Sequence, residues 1–187
     1  HQISFFSKNI GRHHLEIACG SGTLLDLILK WRKISGIDSK GGPGEIVAID
    51  YAEAMLAGAI RRFRNKKNIT ILHEDAANLP MEEASFDTAN IINSFHSIPD
   101  IKGALEEAHR VLKDNGTLAM NILMYPDTTT LFGRLANRIN EWGKKKGILV
   151  TPYTVNEVKN LLLLTKFQII HLNKSGNCLD VLAKKIA

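Results

Sequence analysis

The stretch Leu15-Glu16-Ile17-Ala18-Cys19-Gly20-Ser21-Gly22-Thr23 decides how this chain is read. A β-like run passes into a loop of small residues and then into an amphipathic stretch. Small residues let a ligand approach the backbone, and the first turn of a helix offers N–H groups that have no partner within the helix. This suits a nucleotide-like ligand. It does not suit a dinucleotide: in G-x-G-x-x-G read from Gly20 the third glycine would fall on Leu25, and Glu16 would sit poorly against a pyrophosphate. An acid at that place suits a ligand with an ammonium group.

Outward from this loop, β-like runs alternate with amphipathic stretches, the pattern of a parallel sheet flanked by helices. Strands are expected at His14–Ala18, Glu45–Asp50, Ile69–Glu74, Thr88–Asn93 and Thr117–Leu123, with helices at Thr23–Lys33, Ala52–Asn65 and Ile101–Lys113. Leu131–Lys145 reads as a helix with Leu131, Phe132, Leu135, Ile139 and Trp142 on one face. Thr154 and Glu157 form a capping-box pattern that opens a helix to about Thr165. Phe167–Asn173 and Cys178–Lys184, around Ser175-Gly176-Asn177, suit an antiparallel hairpin that closes the sheet. The expectation is an α/β, doubly wound, mostly parallel seven-stranded sheet ending in that hairpin. The chain has 187 residues and no repeat or linker, so a single domain 1–187 is expected.

Two further acids stand at strand ends. Asp50 ends the second expected strand, where an open α/β sheet binds ligands and a carboxylate can accept from both hydroxyls of a ribose. Its alternative is a cap for the helix from Ala52. Asp75 follows the third strand in Glu74-Asp75-Ala76-Ala77-Asn78-Leu79-Pro80; its alternative is a solvated turn.

Composition narrows the function classes. The formal charge of +5 arises entirely after residue 100, a solvated basic surface or an attraction for an anionic substrate. No basic run interleaved with aromatics points to nucleic acid. No run approaches the roughly 18 apolar residues of a membrane span. Cys19 and Cys178 make neither a disulfide framework nor a metal cluster. A cytoplasmic protein with no metal and a small-molecule substrate is expected, its oligomeric state open.

Several motifs in order make the chain resemble the class I S-adenosylmethionine-dependent methyltransferases, a Rossmann-like family, in particular the small-molecule group with the ubiquinone and menaquinone biosynthesis enzymes. Glu16–Gly22 is similar to E/D-x-G-x-G-x-G, and Asp50-Tyr51-Ala52-Glu53-Ala54-Met55-Leu56 to D-x-S-x-x-M-L. Asp75–Pro80 is similar to D-A-x-x-L-P, and Arg110-Val111-Leu112-Lys113-Asp114-Asn115-Gly116 to R-V-L-K-P-G-G; Ser85-Phe86-Asp87 precedes the fourth strand as the family's does. The resemblance implies S-adenosylmethionine as cofactor. It implies that Glu16, Ala18, Gly20 and Gly22 surround the methionine portion, Asp50 binds the ribose, and Tyr51 and Met55 flank the adenine. Asp75 would accept from the adenine amino group, Ala76 would offer its N–H, and Asn93 would lie near the cofactor's amino group. Ala18 departs from the pattern by standing where the family has glycine, which narrows the approach. Little chain precedes the first strand, so part of the family's N-terminal lid is expected to be missing.

Methyl transfer asks mainly for alignment and exclusion of water. Where the acceptor must lose a proton, His96 in Asn93-Ser94-Phe95-His96-Ser97 is the candidate base. The segment 125–153 is the expected substrate-side insertion, with Tyr125, Phe132 and Trp142 as candidate acceptor contacts and Trp142's face otherwise packing on the sheet. The competing readings are a nicotinamide-dependent oxidoreductase and a catalytically degenerate cofactor-binding module. An amino-directed nucleic-acid methyltransferase would show Asn/Asp-Pro-Pro-Tyr/Phe where this chain has Asn-Ser-Phe-His.

Overall fold

In the computed structural model the β-like runs become β1 (His13–Ile17), β2 (Glu45–Asp50), β3 (Ile69–His73), β4 (Phe86–Ile91) and β5 (Leu112–Leu123), followed by β6 (Phe167–Ser175) and β7 (Cys178–Lys185). The structure describes residues 1–126, 135, 138, 139, 141, 142, 145 and 152–187. One sheet runs in the order β3-β2-β1-β4-β5-β7-β6. Its first five strands are parallel, and β7 runs antiparallel between β5 and β6. This is the expected α/β, doubly wound, seven-stranded sheet with its C-terminal hairpin. Strand order reverses between β1 and β4, so the crevice outside their carboxyl ends is where such a sheet binds a ligand.

Helices α1 (Gln2–Ser7), α2 (Thr23–Ile34), α3 (Glu53–Phe63), α4 (Ile101–Val111) and α5 (Val155–Leu164) surround the sheet. Phe6 of α1, Leu25 and Ile28 of α2 and Phe63 of α3 join one buried apolar cluster with Ile46, Ala48 and Ala119. On the other face Ile101, Ala104, Leu105 and Ala108 of α4 and Val158 and Leu162 of α5 pack with Leu15, Ile17, Ile91, Met120 and Val181. The alternation along each strand thus feeds two cores. Asp100 caps α4, its Oδ1 accepting from Gly103 N–H at 2.9 Å.

The differences from expectation are local. Helix α1 was not expected: it is short and has no side-chain cap, so its sequence carries little signal. β1, β3 and β4 end one or two residues early, which leaves Ala18, Glu74 and Asn93 in the loops beyond them. β5 begins at Leu112 rather than Thr117, because Leu112 pairs with Phe86 ahead of a register shift that throws out Asn115 at φ +64°. Of the expected helix Leu131–Lys145, the described positions 135, 138, 139, 141, 142 and 145 are helical; Phe132 lies outside the described residues. Leu135, Ile139 and Trp142 are each more than half exposed. At these positions the apolar face does not pack on the sheet.

The capping box of α5 forms as read. Thr154 Oγ1 accepts from Glu157 N–H at 3.3 Å, and Glu157 Oε2 accepts from Thr154 N–H at 2.6 Å. Thr154→Ala is expected to lower unfolding stability by about 1 kcal/mol, read from chemical denaturation, with the sheet unchanged by circular dichroism.

Candidate cofactor site

The glycine loop is made by backbone conformations that few residues accept. Ala18, Gly20 and Gly22 all have positive φ, at +55°, +55° and +70°. For Ala18 this left-handed geometry costs roughly 1–2 kcal/mol that glycine would not incur. Gly22 has a second reason: a Cβ there would lie 2.5 Å from Phe63 Cε2. Phe63 belongs to α3, so Gly22 is the point at which α2 and α3 close on each other.

Asp50 fixes the loop. Its Oδ2 accepts from Gly20 N–H at 2.7 Å and its Oδ1 from Ala52 N–H at 2.8 Å. The sequence left ribose ligand and helix cap as alternatives. The carboxylate does tie the backbone in front of α3, although Ala52 itself is the N-cap residue. Each oxygen keeps a lone pair for a further donor.

Two cavities meet here, both lined by Ala18 and Ser94. One of about 500 Å³ is lined by Asp50, Tyr51, Glu74, Asp75, Ala76, Ser97 and Ile98 among others. The other, of about 270 Å³, is lined by Glu16, Cys19, Gly20, Met55 and Asn93. Every cofactor residue expected from the sequence except Gly22 therefore lines one cavity or the other; Gly22 shapes the loop from behind. Tyr51 is largely exposed and Met55 about half. Asp75 Oδ1 accepts from Ala77 N–H at 2.9 Å, an Asx turn that leaves Oδ2 with no hydrogen bond to the protein's described residues.

Glu16 is buried at the foot of the smaller cavity. Burial raises its pKa, against the lowering effect of His14 and Asn90. The neighbouring Cys19 thiol is pushed up to about 12 by burial and by the charges of Asp50 and Glu16, so it stays protonated and is not a nucleophile at physiological pH.

His96 lies in the turn Phe95–Ser97, half-buried, and does not line either cavity, although Ser94 and Ser97 line the larger one. Its Nδ1 is buried with no hydrogen-bond partner among the described residues, and burial lowers its pKa. Tyr125 is partly exposed just past β5, where Met124 bridges to Tyr153 and Tyr153 meets Phe95 edge-on at 5.2 Å. Trp142 is exposed and lines neither cavity. What sequence reasoning missed is the set of polar residues behind Glu16: His14, Asn90, Asn9 and Thr88. The one signal was a pair of polar residues at alternate positions of otherwise aliphatic strands.

The arrangement matches known proteins. The methyltransferase domain family matches residues 15–120. The demethylmenaquinone methyltransferase of Staphylococcus epidermidis is 32% identical over 116 residues, 62% of this chain and 45% of that protein. That of Staphylococcus saprophyticus is 32% identical over 118 residues, 63% of this chain and 47% of that protein. The chain thus spans about half the length of the curated relatives it matches. Among solved structures, the YcgJ protein of Bacillus subtilis has a TM-score of 0.77 at 15% identity, covering 100% of this chain and 99% of its own. A SAM-dependent methyltransferase of Aquifex aeolicus has a TM-score of 0.72 at 19% identity, covering 99% and 88%. The chain belongs to the methyltransferase domain family, whose cofactor is S-adenosylmethionine. Within it, the curated relatives named above are demethylmenaquinone methyltransferases.

Two outcomes follow from this geometry. Gly22→Ala adds left-handed strain and a clash with Phe63, and should cost about 2–4 kcal/mol of stability, measured by denaturant unfolding. Glu16→Gln tests the buried acid. Its raised pKa means that folding favours the protonated form, so this contribution is full at low pH and is lost as pH rises through the raised value. The glutamine variant should melt above the wild type at neutral pH, with the gap closing in the carboxylic-acid range, while its affinity for S-adenosylhomocysteine falls.

Proposed function

We propose that this chain transfers the methyl group of S-adenosylmethionine to a small quinone-type acceptor. The observation that carries the reading is the pair of joined cavities with Asp50 and Asp75 beside one and Glu16 at the foot of the other. An elongated ligand with hydroxyls and an amine at one end and an ammonium group at the other fits that distribution of acceptors.

In this reading Asp50 accepts from the ribose hydroxyls with the lone pairs that Gly20 and Ala52 leave free. Tyr51 and Met55 flank the adenine, Asp75 accepts from its amino group, and Ala76 offers its N–H. Glu16 holds the amino-acid end, with Ala18, Gly20, Gly22 and Asn93 shaping the backbone around it. The sulfonium supplies an already electrophilic methyl; the protein's task is to align the acceptor and keep water out. Where the acceptor must lose a proton, His96 takes it. Burial lowers the pKa of the ring and so favours the neutral form a base needs. Tyr125, Phe132 and Trp142 are the proposed acceptor contacts in the segment 125–153 of a single domain. The quinone class is taken from the named Staphylococcus relatives. Among the described residues no helix is long and apolar enough to cross a membrane, and we assign the reaction to the cytoplasmic side.

The fold by itself leaves the reaction open, since the [4+2]-cyclase SpnF has it too, with a TM-score of 0.75 at 14% identity. The deciding experiment combines binding and turnover. Calorimetry should show S-adenosylmethionine binding well and NAD far more weakly. Incubation with a demethylated quinol should give a methylated product by mass spectrometry, and His96→Asn should cut turnover by about a hundredfold with cofactor affinity retained. NAD binding as tight as S-adenosylmethionine would sink the cofactor assignment; cofactor binding without transfer to any quinol would sink the acceptor class.

A further inference from the structure

β1 lies in the middle of the sheet, between β2 and β4, and both its faces are covered. One face carries Leu15 and Ile17. The other, turned toward α1 and α2, carries His14 and Glu16, exposed by 0% and 2%. A central strand ordinarily places aliphatic residues there. Buried polar groups in such a position need complete partners, and two chains of hydrogen bonds supply them.

The first starts at Thr88 on β4. Its Oγ1 accepts from Gly11 N–H at 2.9 Å and lies 2.8 Å from His14 Nδ1. The ring is thereby held with Nε2 facing Glu16 Oε2 at 3.3 Å, where a hydrogen on that nitrogen donates to the carboxylate. The second chain starts at Thr117 on β5, whose hydroxyl donates to Asn9 Oδ1 at 2.6 Å. Asn9 Nδ2 donates to Asn90 Oδ1 at 3.0 Å and to Ala89 O at 2.9 Å. Asn90 is thereby oriented with its own Nδ2 toward Glu16 Oε2, also at 3.3 Å. Both chains end on the same carboxylate oxygen. Oε1 receives no hydrogen bond from the described residues, and Glu16 lines the smaller cavity.

We propose that His14 and Asn90 are positioning residues for cofactor capture: they hold Glu16 by Oε2 so that Oε1 accepts from the primary ammonium group of the ligand's amino-acid end. The proposal rests on the S-adenosylmethionine reading of the site and adds to it two residues outside the glycine loop.

The physics runs through the charge on Glu16. An ammonium group is held by a carboxylate far better than by a carboxylic acid. Burial opposes the charged form, and donors to it favour it. The titratable groups on this side are His14 on the same strand, which acts on Glu16 directly, and Cys19 in the loop, whose thiol feels the charges of both Asp50 and Glu16. β4 contributes neutral Asn90 and Thr88, and the sides toward α1 and α2 are apolar at Phe6, Leu25 and Ile28. His14 and Asn90 are thus the neighbours that offset the burial of this acid. Without one of them, Glu16 keeps its proton to higher pH, and the cavity loses its hold on the ammonium group at neutral pH.

The test compares two probes by calorimetry across pH. S-adenosylhomocysteine carries the amino-acid end; methylthioadenosine lacks it. His14→Leu and Asn90→Leu should each weaken S-adenosylhomocysteine by about tenfold or more at neutral pH, and the loss should shrink as pH rises. Methylthioadenosine should bind each variant within about twofold of wild type, which also reports that the variant is folded. His14→Gln, which keeps a donor, should restore most of the affinity, and it stands in should the leucine variant fail to fold. Unchanged S-adenosylhomocysteine affinity in folded variants would overturn the proposal. So would an equal, pH-independent loss for both probes, the result of a purely structural role. If neither probe binds the wild type, the cofactor reading falls and takes this proposal with it.

Discussion

The hydrogen bond from Gly20 N–H to Asp50 Oδ2, 2.7 Å long, is the contact on which the site depends. β1 and β2 lie in parallel register through Ile17 and Ile49, and Cys19 N–H donates to Ile49 O at 2.8 Å. The two strands therefore end together, and the chain must turn away from each at the same level. The carboxylate spans the gap between those two departures. It sets the loop that leads to α2 and, through Ala52 N–H, the start of α3. Gly22, at the start of α2, then lies against Phe63 at the far end of α3.

Most of the sheet could be read in the sequence, because strand period and turn chemistry are local signals. The runs at residues 45–50 and 178–184, the hairpin turn at Gly176 and the capping box at Thr154 all depend on residues close in sequence, and they formed where expected. The acids at strand ends were legible for the same reason. The order of strands is not a local property, and it emerges only in the folded sheet. The register shift that starts β5 at Leu112 was invisible, since it depends on pairing with Phe86. Helix α1 was hidden by its brevity.

The support behind Glu16 was the least legible part. Asn9 and Asn90 are neighbours through space and 81 residues apart in sequence. Each taken alone reads as a surface or turn residue. Their burial becomes necessary only once β1, β4 and β5 are side by side, and that adjacency no window of sequence displays. The segment after β5 departs differently: an apolar stripe at helical spacing predicts a covered face, yet Leu135, Ile139 and Trp142 are exposed. Periodicity tells which residues share a face and says nothing of what lies opposite.

Asp50 anchors the loop with the same two oxygens that are proposed to meet the ribose, and this has a consequence for lineages that abandon the reaction. A descendant that no longer moves methyl groups would still need a carboxylate between Gly20 and Ala52, or its loop would lose its anchor. Selection for a folded protein alone would retain the acid. Its presence in a sequence therefore testifies to the geometry of a turn and not to turnover, whereas an exposed neighbour such as Tyr51, which has no such second duty to the loop, is free to drift once the ligand is gone.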